Sequence, residues 1–230
     1  MAAVRRLRSV LSGCGTATSP ECTPASGAAD DDRVVATTKG DVRGFVDGKG
    51  IATWRGIPFA APPVGPHRFK RAVPAEPWSG ELSCTEFGAV SWQATPEPGQ
   101  LCDEDCLYLN VQTAAGSTNA PVFVWVHGGG FTGGAGSNAG YDGAAALAQD
   151  GLCVVTINCA HSSDCQHTAM WIRAWQLRIQ CKAADSLCCM CHLDRLGALG
   201  WAKLTDGDAN CGLWDQITAL QWVQDEIAKL

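Results

Sequence analysis

Apolar positions in this chain follow two rhythms, a period of two that reads as strand and a period near 3.6 that reads as helix. Val34–Thr38, Val42–Val46 and Ile51–Arg55 are short β-type runs. Lys39-Gly40-Asp41 and Asp47-Gly48-Lys49-Gly50 separate them as turn-formers, which predicts a small antiparallel meander. Residues 57–78 carry six Pro, a density that no helix or central strand survives, so an ordered coil is expected there. In Cys106–Gln112, Leu107, Leu109 and Val111 alternate with Tyr108, Asn110 and Gln112, the pattern of a half-buried strand. Pro121–Val126 is nearly all apolar and predicts a strand buried on both faces. Gly143–Gln149 is Ala-rich and stops at Asp150-Gly151, a short helix with a Gly terminator, and Leu152–Ile157 is a second fully apolar strand. Strand, Gly-rich loop, helix and strand make one βαβ unit, which places the chain in the α/β class. Gly212–Leu230 is the clearest helix, with Leu213, Ile217, Leu220, Val223 or Gln224, and Ile227 at helical spacing and Asn210 as its cap. A helix of an α/β protein normally hands over to another strand, so the pattern is expected to continue past Leu230.

Composition narrows the class. Of 230 residues 46% are hydrophobic, enough for one sizeable domain and incompatible with a wholly disordered chain. No apolar run reaches the length of a spanning helix, so no membrane span is expected. The net charge of −6 argues against a nucleic-acid partner, which would select a basic face. Residues 1–32 read as a leader or a disordered tail, with Arg5, Arg6 and Arg8 at one end and Asp30-Asp31-Asp32 at the other. The apolar core of a secretory signal is missing, and the Arg-rich start is only weakly transit-like, so localisation is unreadable. Residues 159–194 form a second anomaly, because these 36 residues hold none of the chain's 26 Gly and none of its 11 Pro. About five Gly would be expected there at the background rate. The same stretch holds 6 of the 13 Cys, and its composition is that of a different source, either retained intron sequence or an inserted loop. Cys181, Cys188, Cys189, Cys191 and His192 lack the paired spacing of zinc knuckles, so no metal is expected.

The residues that point to chemistry are Val124-Trp125-Val126-His127-Gly128-Gly129-Gly130-Phe131. Three Gly follow the end of a buried strand, where open α/β sheets place ligands. A Gly triplet lets backbone N–H groups turn inward, and such donors stabilise the oxyanion that develops in acyl transfer. His before the triplet, Phe after it and a buried strand upstream form the HGGG oxyanion motif of lipases and esterases, rather than a plain turn.

On these residues the chain resembles the type-B carboxylesterase family, which includes the cholinesterases. Trp54-Arg55-Gly56-Ile57-Pro58-Phe59-Ala60, Pro62-Pro63-Val64-Gly65, Arg68-Phe69 and Pro77-Trp78 follow the family's order. So do Glu104-Asp105-Cys106-Leu107-Tyr108-Leu109-Asn110, Val155-Thr156-Ile157-Asn158, Arg195-Leu196-Gly197-Ala198-Leu199-Gly200 and the helix of Asn210, Asp215-Gln216 and Ala219-Leu220-Gln221-Trp222-Val223. The resemblance covers residues 33–158 and 195–230. It implies part of an α/β-hydrolase fold behind an N-terminal antiparallel meander, cut before the nucleophile elbow and interrupted at 159–194.

The resemblance also implies roles. Gly129 and Gly130 would be oxyanion donors, and His127 and Gly128 would position the loop, His127 by hydrogen bonding. His127 is not the expected base, because in this fold the order is Ser, acid, His. Arg55 with Glu104, and Arg195 with Asp215, would be structural ion pairs, or else solvated surface charges. The family's Cys of the Glu-Asp-Cys-Leu block, here Cys106, pairs with an upstream Cys where this chain has Ser91. Cys84 is the nearest substitute, which makes Cys84–Cys106 the candidate disulfide. No G-x-S-x-G occurs, and Gly136-Ser137-Asn138-Ala139-Gly140 has the wrong spacing.

Three readings follow. The first is a serine carboxylic-ester hydrolase acting on a small-molecule ester without cofactor, whose triad lies outside these residues, so that this chain alone is expected to be inactive. The second is a non-catalytic adhesion or scaffold protein, and the third a product that does not fold. The ester's acyl and alcohol groups and the oligomeric state are not legible.

Overall fold

The structure is a computed structural model that describes residues 31–129, 133–139, 143–158, 188–190 and 207–230. They include eight strands and two helices. In chain order they are β1 (Asp31–Ala36), β2 (Asp41–Val46), β3 (Ile51–Pro58), β4 (Glu81–Ser83), β5 (Tyr108–Ala114), β6 (Val122–Val126), α1 (Gly143–Gln149), β7 (Cys153–Ile157), β8 (Cys188–Met190) and α2 (Cys211–Glu226). A 3-10 turn, Ile227–Lys229, follows α2. Among the described residues no helix is long and apolar enough to cross a membrane.

The strands form one sheet in the order β1-β2-β3-β5-β7-β6-β8, with β4 beside β2. β1, β2, β3, β5 and β7 pair antiparallel in that succession, whereas β4 pairs with β2 and β6 with β7 in parallel. The expected meander forms, but β1 starts inside the stretch read as leader, with Asp31 opposite Val46 and Asp32 opposite Phe45. Main-chain pairing needs no particular side chain, which is why a run of Asp did not betray a strand. The remainder of that leader, residues 1–30, lies outside the described residues. Most of the anomalous segment 159–194 does too, except β8, which pairs in parallel with Phe123–Trp125 of β6.

A bulge in β3 decides which side chains face which side of the sheet. Trp54 pairs with Val111 and Ile57 with Leu109, so Arg55 and Gly56 together stand opposite Asn110. Gly56 adopts φ +66°, and a Cβ there would come within 2.9 Å of two backbone atoms, Glu86 O and Gly88 N, so the kink requires glycine. Its N–H donates to Asn110 Oδ1 at 2.9 Å.

One sheet face is closed with carbon. Trp54, Leu109, Val111, Val124, Val155 and Ile157 join Ala219, Trp222 and Val223 of α2 in a single buried cluster. The buried stripe of α2 differs from the expected one. Asp215, Gln216, Ala219, Trp222, Val223 and Glu226 are buried, while Leu213, Ile217 and Leu220 are half-buried. Hydropathy assigns acids and amides to solvent, whereas here they are drawn inside. Glu226 shows the reason, accepting hydrogen bonds from Thr38 N at 2.9 Å, from the Thr38 hydroxyl and from Lys229 Nζ at 2.6 Å. Asn210 sits at the N-cap in the left-handed region, but its side chain makes no capping hydrogen bond.

The other face is polar and lies under α1, which spans β3, β5 and β7. β5 was expected to be half-buried, yet Asn110 is buried there, because α1 covers the face it points to. β6 was expected to be buried on both faces. Phe123 and Trp125 are only half-buried and stack on each other with ring centroids 6.3 Å apart.

Candidate functional site

β6 is short and apolar, and its last residue, Val126, is buried. The chain leaves the sheet there, at the carboxyl end of a parallel strand pair. His127 is fully buried, with ring Nδ1 3.0 Å from the Gly128 carbonyl oxygen. Gly128 is half-buried, and a Cβ there would meet nothing within 4 Å. Gly129 is buried at φ +143°. Gly130, the other expected donor, lies outside the described residues.

The loop returns at Gly133 and is held by side chains from residues 91–100. The Gln93 amide takes both polar groups of Gly134, accepting from its N–H and donating to its carbonyl at 3.0 Å. Gln100 Nε2 donates to Asn138 Oδ1 at 2.9 Å and to Ser137 Oγ at 3.3 Å. Glu97 Oε2 accepts from Ala139 N at 2.9 Å. Gly136 crosses the end of β7 closely, with Ile157 O only 2.7 Å from where a Cβ would stand, so no side chain fits there. Sequence reading missed Gln93, Glu97 and Gln100, since each acts across about 40 residues and no local pattern marks a side chain that braces a distant loop.

The expected ion pairs resolve differently. Glu104 pairs with Arg68, whose Nη2 and Nε donate to one carboxylate oxygen at 2.6 and 3.0 Å, and not with Arg55. Hydrogen bonding and the charge of Glu104 raise the Arg68 pKa above its ordinary value. Arg55 lies instead on the α1 face, between the rings of Phe45 and Phe87 at 5.1 and 4.6 Å, with Nη1 donating to Thr85 O at 3.4 Å. Strand alternation accounts for this, because Arg55 stands two residues from Thr53 and lines the same space under α1. Asp215 is fully buried on α2, and its expected partner Arg195 lies outside the described residues.

The Cys84–Cys106 disulfide is not formed, and Cys84 is a free thiol. Its main chain is fixed from both sides, Cys84 N donating to Arg43 O and Arg55 N to Cys84 O, each at 2.7 Å. Burial pushes its thiol up to about 12, so it stays protonated and unreactive toward exchange.

Comparison with known proteins supplies what geometry alone does not. Residues 31–159 and 195–230 match the family model described as Carboxylesterase family. Para-nitrobenzyl esterase of Bacillus subtilis (strain 168) is 34% identical over 211 residues, which are 85% of this chain and 35% of the relative. Acetylcholinesterase of Gallus gallus is 35% identical over 213 residues, 83% of this chain and 23% of the relative. A solved structure of a PNB esterase superposes with TM-score 0.65 at 35% identity, covering 86% of this chain and 35% of the other. The chain thus spans about a third or less of the length of these relatives.

Proposed function

This chain belongs to the carboxylesterase family, and from that membership we propose that it supplies the oxyanion loop of a serine ester hydrolase. Gly129 and Gly130 are the donors. In ester hydrolysis a nucleophile adds to the carbonyl carbon and the carbonyl oxygen becomes an anion. Two fixed N–H groups at that oxygen bind the tetrahedral state more tightly than the flat ester, so they lower the barrier rather than only hold substrate. Loss of one such donor costs about 10²–10³ in kcat. His127 keeps the start of the loop in place through its contact with the Gly128 carbonyl. Ser nucleophile, acid and base are not assigned within these 230 residues, which hold no G-x-S-x-G. The chain by itself therefore turns over no ester.

The observation that carries this reading is the exit of His127-Gly128-Gly129 from the carboxyl end of β6, with Gly129 buried at φ +143°. A graft tests it. Residues 121–139 replace the matching segment of the Bacillus subtilis para-nitrobenzyl esterase, and hydrolysis of a p-nitrophenyl ester is followed. The expected result is a kcat within about tenfold of the parent, falling by about 10² when Gly129→Ala displaces the loop amide. An inactive but folded graft, or a Gly129→Ala graft as active as the unmutated one, rejects the proposal. So does hydrolysis by the purified 230-residue chain above the spontaneous rate.

A further inference from the structure

Six of the nine residues 128–136 are Gly, so little within the loop that leaves β6 restricts its backbone. A donor aimed at a reacting oxygen must stay within about 0.5 Å of its place. The order therefore has to come from outside the loop. At its start Val126 pairs with Ile157 of β7, and the His127 ring meets the Gly128 carbonyl. At its return three side chains of one segment take hold, Gln93, Glu97 and Gln100.

That segment is itself a closed frame. Val90 N donates to Leu101 O at 2.8 Å and Asp103 N to Val90 O at 2.9 Å, which shuts its base. Inside it Glu97 N donates to Gln100 Oε1 at 3.0 Å, and Gln100 N to Glu97 O at 3.1 Å. Asn158 is buried just after β7. Its Nδ2 donates to Ala89 O at 2.8 Å and its N to Tyr108 O at 2.9 Å, so the frame stands on the sheet.

Of the three side chains, Gln93 grips the loop nearest to Gly129. Its amide meets both polar groups of one residue, as a neighbouring strand would, accepting from Gly134 N and donating to Gly134 O at 3.0 Å. The same Nε2 donates to Ser91 O at 3.3 Å, which ties the amide back to the frame. Gly134 is buried at φ +108°, a conformation that L side chains rarely adopt. Its N–H and carbonyl are shut off from water, and losing the amide strands both. A primary amide is the side-chain group that offers acceptor and donor side by side.

We propose that Gln93 is a positioning residue for the oxyanion loop. By holding the Gly134 peptide against the frame it fixes the return of the loop, and with it the direction of the Gly129 N–H. This rests on the reading of Gly129 as an oxyanion donor. Gln93 acts through the loop and not on the ester.

Two measurements test this. On the full chain, peptide-resolved hydrogen exchange compares wild type with Gln93→Leu. Exchange over residues 127–139 is expected to quicken about tenfold while β5 keeps its wild-type rate. In the second, residues 89–105 and 121–139 together replace the matching segments of the Bacillus subtilis para-nitrobenzyl esterase, and hydrolysis of a p-nitrophenyl ester is followed. Gln93→Leu in this graft is expected to lower kcat about tenfold and leave KM within about twofold, because a misdirected donor weakens the transition state and not the bound ester. Gln93→Glu keeps the size and the acceptor but sets a carboxylate oxygen against Gly134 O, and is expected to lose at least as much. A side chain with only a structural role would lower the thermal midpoint without moving kcat. Unchanged exchange in the full chain overturns the proposal, as does an unchanged kcat in both Gln93 variants of an active graft. Where the graft does not fold, the exchange measurement decides. Gly129→Ala separates the proposal from its premise. If that variant loses about 10² in kcat and Gln93→Leu loses nothing, the positioning role alone fails. If Gly129→Ala loses nothing, or the folded graft is inactive, the oxyanion reading fails and this inference with it.

Discussion

On the α2 side of the sheet, Trp54, Leu109, Val111 and Val155 meet Ala219, Trp222 and Val223 in one carbon-lined core. On the α1 side the same strands present Thr53, Arg55, Asn110, Gln112 and Thr156 to a seven-residue helix made largely of alanine. A central sheet buried by helices on both sides usually carries apolar side chains on both. Here the second face exchanges that uniformity for hydrogen bonds and leaves room above them. The carbon face answers to volume, and the polar face answers to partners. Changes on the two faces are therefore expected to fail in different ways.

The largest effect is expected at Trp54, which is fully buried in the carbon face. The wild-type chain is expected to unfold in one cooperative urea transition, and Trp54→Ala to lower its stability by about 3–5 kcal/mol. A non-cooperative wild-type transition, or a variant with the wild-type midpoint, breaks the comparison. On the polar face, Asn110→Ala removes little volume but strands the Gly56 N–H, and is expected to cost about 1–3 kcal/mol. Asn110→Leu at similar volume separates the two rules. If it recovers stability in denaturant titrations, that face too is governed by filling.

Glu226 is the acidic exception on α2, and pH exposes it. Burial alone would raise its pKa, but hydrogen bonds from Lys229 and Thr38 outweigh burial and leave it lowered. A carboxylate with a lowered folded pKa stabilises the fold fully above the unfolded value of about 4.3. That stability declines as pH falls and is lost once pH passes below the folded pKa. The gap in unfolding midpoint between wild type and Glu226→Gln is therefore expected to be widest near neutral pH and to narrow toward pH ~3. A gap constant across that range contradicts this linkage. The smallest effect belongs to Arg68, a side chain 46% exposed. Arg68→Ala is expected to leave the thermal midpoint within error of wild type, since solvent screens exposed pairs.

Much of this arrangement could be read from the sequence because it rests on period and punctuation. The meander, β5, β6, β7 and α1 are strands and a helix whose apolar rhythm and Gly or Asn boundaries agree. The exit of His127, Gly128 and Gly129 from the end of β6 was legible for the same reason, since Gly after an apolar run ends a strand. Pairings between distant residues were not legible. Arg68 and Glu104 stand 36 positions apart, and the family resemblance had assigned Glu104 to Arg55, which lies instead beside Phe45 and Phe87. The face of α2 was misjudged because Asp215, Gln216 and Glu226 are buried, and hydropathy assigns such residues to water. Gln93 and Gln100 left no trace at all, because a clamp is visible only once both of its jaws are in place.

The bond from Thr38 to Glu226 joins residues 188 positions apart. A ribosome releases the first hairpin long before it has made the helix that this hairpin leans on. The meander must therefore wait with its apolar side uncovered until that helix has been made, and closure of so wide a loop comes late in folding. For this chain the interval of greatest exposure to chaperones, proteases and self-association is set by translation speed as much as by final stability.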